Sequence, residues 1–192
     1  RDVVILESSW LGYHEPYTTK EISSYIYQMM VDSGQRDLAN EYGLSPFQVR
    51  VLSVSRTFCE KVMSLVRFSH SQQPIEDLKL KIRHIYDLHQ LLSLDEVSDF
   101  FDSSGFDQML LKVAQDDVVG YKSGNEWLVH HPKDAIVFHD IENTWNQLKE
   151  VYSTSFSDMV YGTLPPEEDV LKTLNRINER LKTIEWTIKP TN

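Results

Sequence analysis

Cysteine is almost missing from this chain of 192 residues. Cys59 is the single one, which excludes an intramolecular disulfide and suits a reducing compartment such as the cytosol. Long apolar runs are missing as well. None reaches the roughly 20 residues that a membrane-spanning helix needs, and no signal-peptide pattern opens the chain. The seven glycines are scattered, so no Gly-rich loop is available to cradle a phosphate. There is no HExxH pair, no Cys/His framework, and no Ser-His-Asp or Cys-His arrangement. Positive charge is in deficit, with 19 Lys and Arg against 29 Asp and Glu and a net charge of −10. That balance excludes a protein that coats nucleic acid generally. An initiator Met is also lacking: the chain starts at Arg1-Asp2 and enters an apolar stretch at once. It reads as a fragment, or as a longer protein whose front is missing.

What is present is the composition of a globular protein, 41% hydrophobic and 25% charged. The length fits one domain, or one domain with a helical appendage, and it can bury a core without metals. Charge is unevenly spread. Between Arg56 and Asp87 there are six basic and four acidic residues; from Asp95 onward there are nine basic and eighteen acidic. The middle can face a phosphate-bearing ligand, whereas the acidic rear reads as a solvated helical surface.

The apolar run DVVILE (2–7) predicts a strand buried on both faces. A loop over 8–16 follows, then a helix over 20–34 with Ile22, Ile26, Met29 and Met30 and a stop at Gly34. Residues 36–43 predict a helical turn. PFQVRVLS (46–53) alternates Phe47, Val49 and Val51 with Gln48 and Arg50, the pattern of a half-buried strand. Helices are expected over 54–69, 75–93, 95–103, 104–119, 140–161 and 166–186. A loop with one short strand pair is expected over 121–138. In the last helix Val170, Leu174, Ile177, Leu181 and Ile184 form a seam for a neighbouring helix, in this chain or in a partner.

Two helices carry the ionic candidates. At about 100° per residue, Lys61 falls between Phe68 and Leu65 on the apolar face of 54–69, while Arg56, Glu60 and Arg67 form a polar stripe. Within that stripe Arg56 and Glu60 read as a simple i,i+4 pair. Lys61 has two explanations: its stem covers apolar surface while the ammonium reaches water, or the ammonium meets an anion in a cleft. On 75–93, Lys79, Arg83 and Asp87 make an i,i+4,i+8 ladder opposite the main apolar face, flanked by Leu80, His84 and Leu91. Arg83, His84 and Asp87 then lie at a partly desolvated seam, or form an inter-helix salt bridge. His130, His131, Asp134, His139 and Asp140 are the densest ligand-type cluster. Adjacent histidines cannot share a face, so a polar loop is expected there rather than a metal site. Trp10, Tyr13, Tyr17, Tyr25 and Tyr27 lack interleaved basic residues and are assigned to packing rather than base stacking.

PFQVRVLS, RTFCEK (56–61) and KIRHIYDLHQLL (81–92), in that order, resemble the AbiEii/AbiGii family of nucleotidyltransferase toxins from type IV toxin–antitoxin systems. The matching features are the strand and Leu-Ser before a helix, the Glu-Lys of RTFCEK, and Arg followed by Tyr-Asp-Leu in RHIYDL. VVILESSWLG also looks like the family's strand after its catalytic core. The resemblance covers about residues 3–92. It implies an α+β, mainly helical fold, with one or two strands completing a nucleotidyltransferase-type sheet and a helical bundle behind. Residues 1–53 are then the end of the nucleotidyltransferase-like core and 54–192 a helical C-terminal domain. Lys61 and Asp87 match the family's active-site motifs, with Glu60, Arg83, His84 and Arg56 as supporting candidates and Glu7 as a metal-binding carboxylate.

The implied activity is transfer of a nucleotide from an NTP to an acceptor, expected to be RNA. Mg²⁺ and NTP belong to the full-length protein, an antitoxin protein is the expected partner, and no membrane is involved. One departure is large: no Gly-Ser turn followed by Asp-x-Asp exists in this chain, so the fragment alone is expected to be inactive. The alternative is a non-catalytic helical module that binds an antitoxin or another partner.

Overall fold

The computed structural model describes residues 16–121 and 124–190. The expected strand over 2–7, together with Glu7, Trp10 and Tyr13, lies outside the described residues. The chain divides into two compact units, 1–53 and 54–192.

In the first unit, β1 (Tyr17–Ile22) pairs antiparallel with β2 (Phe47–Leu52), and Tyr17 faces Leu52 while Ile22 faces Phe47. Between them lie α1 (Tyr25–Asp32) and α2 (Arg36–Glu41). β2 and α2 fall where the alternation and the Gly43 stop place them. The helix expected over 20–34 is wrong at its front, because residues 20–22 belong to β1. Tyr17, Thr18 and Thr19 favour extended backbone, and β2 supplies the ladder partner that a local period cannot reveal. Helix starts only after Ser24, whose hydroxyl accepts from the Tyr27 amide at 3.0 Å. Gly34, at φ 74°, closes the turn after α1 in the left-handed region that glycine alone enters freely.

The second unit is helical. α3 (Val54–Ser69) is its axis, as the sequence places it, and it buries Phe58, Cys59, Val62, Met63, Leu65 and Val66. Against it pack α4 (Pro74–Leu80), α5 (Ile82–Leu92), α6 (Asp95–Asp102) and α7 (Ser104–Gly120). Phe58 meets Phe101 and Phe106 edge-on, with ring centroids 5.6 and 6.0 Å apart. The single helix expected over 75–93 is two helices broken at Lys81. The break lets α4 pack on the helix Ile141–Val151 while α5 packs on α6 and on the helix Glu167–Leu181, and it leaves Leu80 80% exposed instead of covered.

The strand pair expected within 121–138 does not form. Two 3₁₀ turns, Glu126–Val129 and Pro132–Asp134, lead into the one-turn α8 (Ile136–His139). Side-chain anchors hold that path: the Trp186 indole N–H donates to the Leu128 carbonyl at 2.9 Å, and Trp127, Leu128 and Phe138 are buried. α9 (Ile141–Val151) gives way to a π turn at Tyr152–Phe156 rather than running to 161. There Ser153, Thr154 and Ser157 hydroxyls bond carbonyls three and four residues back, which loosens the helical ladder. α10 (Glu167–Leu181) settles the partner question for its seam: Val170, Leu174, Ile177 and Leu181 are buried against α5, α8 and α9 of the same chain. No helix among the described residues is long and apolar enough to cross a membrane.

Candidate active site

The sequence put Lys61 among apolar neighbours on α3, and α5 is the element that meets it. The Lys61 ammonium donates to Asp87 Oδ2 at 2.6 Å, with the two side chains 18% and 25% exposed. Lys61 therefore does not simply reach water; it ends on a carboxylate of the neighbouring helix. Arg83 Nε stands 3.8 Å from the same Asp87 oxygen, but Arg83 is 71% exposed and adds a screened charge rather than a fixed contact. The pair lies where water is thinned but not excluded, so its Coulomb attraction exceeds that of an open surface pair.

His84, three residues before Asp87, completes this group. Its Nδ1 is buried and has no hydrogen-bond partner among the described residues. Burial lowers its pKa to about 4, and the nearby Lys61 and Lys81 charges push in the same direction. His84 is thus a neutral imidazole beside a cation, a polar spacer rather than a second positive charge.

Arg56 and Glu60 make the i,i+4 pair that the sequence predicts, and α7 meets the arginine, which is only 2% exposed. Arg56 donates to Asp116 on α7 at 2.7 Å and to Glu60 at 2.8 Å. Burial opposes the guanidinium charge, but the hydrogen bonds and charges of Asp116 and Glu60 outweigh it and raise its pKa above the ordinary value. Lys112 adds a longer bridge to Asp116 at 3.3 Å. Arg56 and Glu60 therefore join α3 to α7 on a different side of α3 from Lys61. Glu7 lies outside the described residues.

Two groups escaped the sequence reading. Asp117 on α7 is pushed up to about 6 by burial, against the pull of Arg67. His70, at the end of α3, stacks on His130 with ring centroids 4.5 Å apart and planes 17° from parallel. A histidine sixty residues from its partner leaves no periodic trace; only a His-containing turn at each position was visible. Of the other histidines in the 130–140 cluster, His131 Nε2 pairs with the Ile184 carbonyl at 2.9 Å. No group of three or more His, Cys, Asp or Glu among the described residues converges as a metal site would require.

The Lys61–Asp87 pair thus ties two core helices of an α+β chain to each other. A family model described as "Nucleotidyl transferase AbiEii toxin, Type IV TA system" matches residues 1–182, and the chain belongs to that family. No curated protein and no solved structure matches it.

Proposed function

We propose that this chain works as part of a nucleotidyltransferase toxin that moves a nucleotide from an NTP to an acceptor, with RNA as the acceptor class, and that Lys61 is its cationic contact to the triphosphate. Nucleotidyl transfer displaces pyrophosphate from an α-phosphate, and negative charge grows on the leaving oxygens. An ammonium held at that charge lowers the barrier; one free to wander does not. What supports the reading is a single geometry, the 2.6 Å Lys61–Asp87 contact joining the two motifs that carry the family resemblance. Asp87 is a positioning residue in this reading: it fixes the ammonium on α3 from α5. Arg83, exposed beside it, strengthens the local positive field toward an incoming anion.

Family activity calls for Mg²⁺, which would supply charge stabilisation at the transferring phosphates when bound. The described carboxylates do not converge on a site for it, so no step here passes through the ion. The antitoxin partner belongs to the type IV system as such, and the acidic stretch after Asp95 is the surface offered to it.

The test is Lys61→Met in the full-length protein. Removing one cation from the transferring phosphates should cost about 10²–10³ in transfer rate, measured with labelled NTP and RNA, and should abolish growth arrest. The melting temperature should stay within a few degrees, because the Asp87 carboxylate left behind still reaches water and keeps Arg83 at 3.8 Å. Undiminished transfer, or a chain that unfolds, would remove Lys61 from the mechanism. Asp87→Asn should lower kcat more than it raises KM, since it loosens the lysine without touching substrate.

A further inference from the structure

A second polar site lies at the far end of α3. A cavity of about 420 Å³ is lined by Arg67, Phe68, His70, Ser71, Trp127 and His130 among others. Neither Lys61 nor Asp87 lines it. Three of its wall residues carry a buried side-chain atom without a partner among the described residues: His70 Nε2, Ser71 Oγ and Trp127 Nε1. Ser69 Oγ, next in chain, is a fourth, and Ser69 and Trp127 are 4% and 7% exposed. Buried polar groups are normally satisfied, so these atoms leave the wall beside the cavity short of partners.

The charges indicate which acceptors. The Arg67 guanidinium lies over the rings of Phe68 and Tyr121, 4.6 and 5.0 Å from their centroids, and bonds the Tyr121 hydroxyl, contacts that restrict its position. The His70–His130 stack adds two groups that become cationic on protonation. Around them stand Arg67 on α3 and Glu126 and Asp134 on the two 3₁₀ turns. In the empty state burial, and then His130, lower the His70 pKa, while Asp134 acts to raise it. An anion would repay protonation of both rings, which otherwise repel.

We infer that this cavity is an anion site for a phosphoryl group, distinct from the Lys61–Asp87 pair, in which Arg67 is the permanent cation and the stacked histidines are cations recruited by the ligand. Binding takes up protons: each imidazole that joins the site charges as the anion enters. Ser71 and the Trp127 indole N–H are neutral donors to the same oxygens. The carbonyl end of α3 opposes an anion and favours a protonated imidazole, so the histidines are needed to reverse the local sign.

The experiment follows His70 and His130 ring resonances by NMR in the intact chain, with inorganic sulfate, inorganic phosphate and a nucleoside 5′-monophosphate as probes. Sulfate keeps its charge while the imidazoles titrate, so sulfate binding should weaken more than tenfold between pH 6 and pH 8. His130→Gln, at an exposed position that does not threaten the fold, should remove most of that pH dependence. Arg67→Gln should abolish binding, and Arg67→Lys should restore only part of it. A monophosphate that binds more than tenfold tighter than phosphate assigns the site to a phosphorylated metabolite or nucleotide; equal affinity assigns it to free phosphate. Either supports the site. No shift of the two histidines with any probe at millimolar concentration, or binding indifferent to both pH and His130→Gln, would overturn it.

Discussion

Arg56 is the most exacting test of how this fold is held. Replacing it with Met removes a guanidinium that is 2% exposed and leaves Asp116, 14% exposed, facing an apolar side chain. Stranding one partner of a buried pair typically costs about 3–5 kcal/mol, since the surviving charge keeps its desolvation penalty. Lys112 still reaches Asp116 at 3.3 Å, although it is 50% exposed and screened. The lower end, about 3 kcal/mol, is therefore expected. For a chain of this size that lowers the melting temperature by roughly 6–12 °C. Urea unfolding followed by far-UV circular dichroism, together with calorimetry, reads both quantities. Adding Asp116→Leu removes the stranded carboxylate and fills its space, so the double variant should recover most of the loss. The reasoning fails if Arg56→Met alone costs less than about 1 kcal/mol, the level of a surface pair, or if the double variant is no more stable than the single one.

Two titrations and one thiol give further checks. Asp117, with a folded pKa near 6, stabilises the fold in its protonated form; that contribution is full at low pH and is lost as pH rises through about 6. Asp117→Asn should accordingly stabilise the chain by about 1–3 kcal/mol at pH 8 and by almost nothing below pH 4. His84 has the opposite sign. Its folded pKa near 4 lies below the ordinary value of 6.5, so its stabilisation is present above pH 6.5 and lost as pH falls toward 4. His84→Leu should flatten that acid limb in a pH series of urea midpoints; an unchanged slope would contradict the neutral assignment. Cys59 is fully buried, and burial pushes its thiol pKa up. It should resist an aromatic disulfide reagent in the native protein and react only at the rate of unfolding, whereas fast labelling would contradict that burial.

Local pattern alone fixes much of this protein. The apolar period of 54–69 defines α3 to the residue, the alternation of 47–52 defines β2, and the face carrying Lys61 is the face that meets α5. The 4-3-4-3 spacing on α10 says that a neighbour covers it, though not which one. These features share one cause: a helix or strand repeats along the chain, so its buried side is written at short range. Tertiary structure decided the rest. β1 exists because β2 pairs with it, and the α4–α5 break exists because each half packs on different helices. Arg56 is legible in the sequence as half of an i,i+4 pair, but its burial and its Asp116 partner come from α7, and His70 becomes one of a pair only when the turn holding His130 folds back onto α3. Pairing between distant segments depends on which surfaces meet, and burial changes what a charge costs. Neither quantity is present in a stretch of sequence until the chain has closed on itself.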